Sequence, residues 1–114
     1  MARQKPLLDS QRAQLLANGR NRRSASEVKP VVKFFNPCGA ATWLFTELDE
    51  NGDTLYGLCD LGMGEPELGY ASLSEMMAVR LMFGLYIERD AHFTANKTLQ
   101  EYADEARLLG RINA

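Results

Sequence analysis

The chain has one histidine and two cysteines in 114 residues. His92, Cys38 and Cys59 stand far apart, so no local spacing suits a zinc-type cluster. No apolar run approaches the ~20 residues that cross a bilayer, and the opening MARQKPLLDSQ lacks the apolar core of a secretory leader. A cytoplasmic chain with no membrane partner and reduced thiols is therefore expected. Cys59, in the apolar run Leu58-Cys59-Asp60, is expected to serve as a small buried hydrophobe.

Several phosphate, metal and nucleophile motifs are also missing. Gly62-Met63-Gly64 has no lysine in P-loop register and is flanked by Asp60, Glu65 and Glu67. Asp49-Glu50-Asn51-Gly52-Asp53 has the oxygens of a calcium loop, but Thr54 stands where the loop needs glycine. No serine sits in a nucleophile elbow.

What is present is ordinary globular composition, 46% hydrophobic and 25% charged, in a chain long enough to bury a core without staples. The net charge of −2 hides a division. Residues 1–33 carry eight basic against two acidic side chains, and the remainder five against thirteen. The organisation expected is a basic N-terminal helix and exposed linker over 1–29, leading one α+β domain over 30–114.

Asp9 or Ser10 is placed to cap a first helix with Leu8, Leu15 and Leu16 on its apolar stripe and Asn18-Gly19 as its stop. Val31–Phe35, Ala41–Leu48, Thr54–Asp60, Glu67–Ala71 and Leu85–Glu88 read as strands. Trp43-Leu44-Phe45 puts large apolar groups on both faces, which suits an interior strand. Asn51-Gly52 marks a hairpin, since Asn-Gly tolerates the positive φ of a tight turn. Ser72–Glu75 and Thr98–Glu101 read as capping boxes. They open a helix over 73–82, with Met76 and Met77 in the core, and a last one with Leu99, Tyr102, Ala103, Ala106 and Leu109 on one face. The sum is an α+β fold: a small antiparallel sheet of four to five strands with three flanking helices packed on one side.

Candidate chemistry gathers around the bend between the third and fourth strands. If Asp60, Glu67, Asp90 and His92 converge, they could hold one Mg²⁺ or Mn²⁺ for phosphodiester hydrolysis. The plainer alternative is that Arg89 pairs with a loop carboxylate and fixes the turn. Arg20, Arg22 and Arg23 could meet nucleic-acid phosphates, although they lack interleaved aromatics and the overall pI is about 5.4. A third reading needs no catalysis and no cofactor: Asp60, Met63, Glu65 and Glu67, assisted by the basic arm, bind a partner.

The run Leu58-Cys59-Asp60-Leu61-Gly62-Met63-Gly64-Glu65-Pro66-Glu67-Leu68-Gly69-Tyr70-Ala71-Ser72-Leu73-Ser74-Glu75 resembles the central motif of a bacterial family, domain-of-unknown-function family 2958. Ala41–Leu44, Thr46–Asp49, Glu88-Arg89-Asp90 with His92-Phe93, and the opening Leu-Leu…Gln-Arg-Ala-Gln-Leu-Leu-Ala-Asn-Gly extend the likeness over nearly the whole chain. The resemblance implies plasmids, integrative elements and phages as the setting, near anti-restriction genes, and supplies no catalytic residues. It also implies an apolar or aromatic residue where Glu65 stands, so this chain's loop is the more acidic. The leading expectation is a non-catalytic interaction protein of such an element. It would act in counter-defence (anti-restriction or anti-CRISPR-like) or element maintenance by binding a host protein or nucleoprotein. The rivals are the metal-dependent nuclease centred on Asp60 and a nucleic-acid binder using the arm.

Overall fold

The computed structural model describes residues 3–114. Five strands, β1 (Val32–Phe35), β2 (Thr42–Leu48), β3 (Thr54–Asp60), β4 (Glu67–Ser72) and β5 (Glu88–Arg89), form one antiparallel sheet in the order β4-β3-β2-β1-β5. Three helices flank it: α1 (Asp9–Arg20), α2 (Leu73–Ala78) and α3 (Leu99–Leu109).

The helices lie on both faces of the sheet, which corrects the one-sided packing expected. Trp43 and Phe45 belong to a core with Leu7, Leu15 of α1 and Met76 of α2. Leu44 points the other way, into a core with Leu58, Leu99, Tyr102 and Ala106 of α3. A strand that is apolar on both faces needs cover on both, because alternate side chains leave a strand in opposite directions.

The basic head is built into the fold. Leu7 and Leu15 are buried, while Leu8 is exposed. Asp9 lies inside the first turn of α1, so the cap falls to Leu8, whose backbone N–H donates to Gln11 Oε1. Asn18-Gly19 does not stop the helix. Between Phe45 and Glu47 the β2–β3 register shifts by a bulge, and the buried Asn18 amide donates to the Thr46 carbonyl there at 2.9 Å. A Cβ on Gly19 would stand 2.5 Å from the Leu48 carbonyl oxygen. The pair is used for close helix–sheet approach, and α1 runs on to Arg20. Nor is 20–29 wholly a free linker. The Ala25 and Val28 carbonyls accept from Gln100 and Leu99 at the start of α3, and Val28 is buried.

The β2–β3 hairpin forms as expected, with one change. Only Gly52 takes positive φ; Asn51 instead accepts from the Asp53 and Thr54 amides through its side chain. The Thr98–Glu101 box closes in both directions. In the other, Ser72 Oγ accepts from the Glu75 amide, and Asp53 carries the rest, accepting from Ser72 Oγ and from the Ser74 amide.

The helix expected over 73–82 ends at Ala78. Leu73, Met76 and Met77 set a helical stripe that Arg80 interrupts before Leu81. The chain instead doubles back. Tyr86 bridges to Arg80, and the last strand starts late, at Glu88, opposite Phe35.

Candidate functional site

Asp60 ends β3 with its carboxylate turned inward, and the residue is only 2% exposed. One oxygen accepts from the Gly62 amide at 2.8 Å and the other from the Ile112 amide at 3.0 Å. The carboxylate therefore fastens the bend of the loop and ties the segment after α3 to the sheet. The expectation that Arg89 fixes this turn is corrected. Its guanidinium reaches the Lys5 carbonyl, and its own backbone N–H and C=O pair with the Gln4 side chain.

Glu67 does not join Asp60. It stands opposite Cys59 in the β3–β4 register, and a one-residue offset along a strand sends side chains to opposite faces. Asp90 accepts from the His92 amide at 2.8 Å and lies 3.5 Å from Lys33 Nζ. Asp90 and His92 line a polar cleft of about 350 Å³ with Lys97 and Tyr102, away from the loop. Among the described residues no three His, Cys, Asp or Glu side chains come close enough to hold a metal ion. The quartet drawn together in sequence is thus dispersed, and its central member has both oxygens committed to backbone amides.

What the loop does bring together is different. Gly64, Glu65, Pro66, Glu67 and Leu68 line an open groove of about 550 Å³ together with Arg107 of α3. Gly64 and Gly110 approach backbone to backbone, the Gly64 oxygen lying 3.8 Å from where a Gly110 Cβ would stand. Met63 is 75% exposed on the loop, and Leu108 is 89% exposed at the end of α3. Glu65 and Glu67 are both exposed. Leu108 is the exposed residue at this helix end that sequence reasoning missed. Leu109, expected on the buried face, is half exposed, and the available signal was Leu108 lying off the apolar stripe at a helix end.

The arginines of the head are partly spoken for. Arg20 Nε lies 2.7 Å from Glu50, and Arg22 Nε 3.4 Å from Glu47, while Arg23 is exposed. Burial pushes the Glu47 carboxyl above its usual range, and Arg22 opposes this only in part. A raised folded-state pKa favours the protonated form. Its stabilisation is present below about pH 4.5, the unfolded value, and is lost as pH rises through the folded one. Glu47→Gln is accordingly expected to raise the urea midpoint at pH 7 and to leave it nearly unchanged at pH 4.

Cys59 packs against the first core, part-buried where full burial was expected, and burial pushes its thiol up to about 11, which keeps it protonated and unreactive. Cys38 is a free, exposed thiol.

No helix of the described residues is long and apolar enough to cross a membrane. Comparison with curated proteins and with solved structures returns no match. Residues 7–113 match the family described as "protein of unknown function (DUF2958)", and the chain belongs to that family.

Proposed function

We propose that this chain is a non-catalytic interaction protein that docks through the Leu61–Glu67 loop and the end of α3. The observation that carries the reading is the exposure of Met63 on a loop whose base is locked by Asp60 and whose next residues share an open groove with Arg107 of α3. An apolar centre with a charged rim is how protein-docking surfaces are built, and a preformed loop loses little entropy on binding. Glu65 and Glu67 set the partner's chemistry: an apolar surface edged by lysine or arginine, on a host protein or nucleoprotein. The dispersal of Asp60, Glu67, Asp90 and His92 weighs against the nuclease, and the internal pairing of Arg20 and Arg22 against the nucleic-acid arm. Counter-defence or maintenance of a mobile element is the setting this proposal adopts from the family resemblance.

Affinity capture from bacterial host lysate, with quantitative mass spectrometry, tests the surface. A partner held by the wild type should be held at least about tenfold more weakly by Glu65→Lys/Glu67→Lys and by Met63→Ser, each with an unchanged melting temperature. Equal capture by all three chains rejects this face.

A further inference from the structure

Beyond the docking loop, the segment after α2 builds a second, independent feature. Val79 leaves the helix extended, and Arg80 and Tyr86 pair as an antiparallel bridge. The Leu81 amide donates to the Leu85 carbonyl at 2.8 Å. Residues 80–86 are thus a minimal hairpin, with Phe83 at its tip. Phe83 has φ 61° and ψ 24°, the one non-glycine positive φ among the described residues, and is 87% exposed. A bulky residue in the left-handed region is strained, and this one recovers almost nothing by burial within its own chain. Met82 and Leu85 extend the apolar tip.

Beside the tip lies a groove of about 210 Å³ walled by Met77, Gly84, Leu85, Tyr86 and Ile87. Arg3 stacks 3.5 Å over the Tyr86 ring and donates to the Met77 carbonyl, which fixes one wall. Glu88 and Gln4 stand on the rim.

We propose that this face is a two-fold interface between two copies of the chain, with Phe83 of each seated in the groove of the other. Size supports the fit, since a dry cavity of about 150 Å³ already takes a benzene ring. Placement supports the symmetry: knob and hole share Leu85 and Gly84 on one patch, and a two-fold contact requires one patch to carry both halves. Charge agrees as well. Arg80 on the hairpin arm and Glu88 on the groove rim are exposed and opposite in sign, and in the proposed dimer Arg80 of each copy meets Glu88 of the other. An extended peptide is the weaker occupant, because Gln4 already occupies the backbone groups of Arg89 at this sheet edge.

Sedimentation equilibrium of the full chain across the micromolar range tests the proposal. The wild type should sediment at twice the chain mass. Phe83→Ala and Phe83→Asn should dissociate on the order of 10³-fold more readily, since each dimer loses two anchors. Asparagine tolerates the left-handed region, so an undiminished melting temperature for Phe83→Asn shows that the fold is intact. Arg80→Glu and Glu88→Arg should each weaken self-association, and an equimolar mixture of these two variants should restore it in a mixed dimer. A monomeric wild type overturns the proposal and leaves the knob to a different protein. So does a dimer indifferent to Phe83, or a mixture no tighter than its components.

Discussion

Gly57→Ala is expected to destabilise the chain by at least about 4 kcal/mol, a large share of the roughly 5–15 kcal/mol that holds a domain together. Gly57 sits in mid β3, opposite Phe45 where the bulge in β2 begins. A Cβ there would lie 1.9 Å from the Leu44 carbonyl oxygen and 2.7 Å from the Phe45 Cα. Both are backbone atoms, so no rotamer relieves the clash, and the two central strands would have to part. The control lies directly across the sheet. Gly69 of β4 pairs with Gly57, yet a Cβ on Gly69 meets nothing within 4 Å. Gly69→Ala should change stability by under about 0.5 kcal/mol. Thermal denaturation of the pair decides the matter: Gly57→Ala should lower the melting temperature by about 15 °C or more. Equal, small effects would mean that β2 and β3 do not approach this closely.

Gly57 also shows where the sequence stops being legible. Alternation and turn chemistry are local, so the meander of strands and the Asn51-Gly52 hairpin could be read from neighbours alone. A glycine inside a strand hints at close approach, but what approaches is a carbonyl thirteen residues earlier, displaced by a bulge. Asn18-Gly19 misleads for the same reason: its chemistry fits a helix stop, and its use is set by Thr46 and Leu48. The two-sided helix packing was legible in Trp43-Leu44-Phe45, because both faces of that run demand cover.

For the candidate site, the exposure of Met63, Glu65 and Glu67 followed from a Gly/Pro-rich loop that cannot bury its backbone. The role of Asp60 did not. A carboxylate before a bend reads as a potential ligand, and only the fold reveals that an amide fifty-two residues later, on Ile112, occupies it.

Asp60→Ala tests that role and is expected to cost about 3 kcal/mol or more. Hydrogen bonds to a charged acceptor contribute about 1.5–3 kcal/mol each, and the Ile112 amide would be left buried with no acceptor. Asp60→Asn should recover only part of the loss. One oxygen still accepts, but the new NH₂ group faces an N–H, donor against donor. Because Ile112 seats the chain end in the core beneath α3, the loss should appear first as protease cleavage after Gly110, ahead of global unfolding. An intact chain end and an unshifted melting temperature in Asp60→Ala would refute the role of Asp60 as a fastener. The same variant should also weaken partner capture, although Asp60 is too buried to touch a partner, because the loop it anchors would lose its shape. Lost capture with lost stability at Asp60, set against lost capture with full stability at Glu65 and Glu67, separates the residue that holds the surface from the residues that form it.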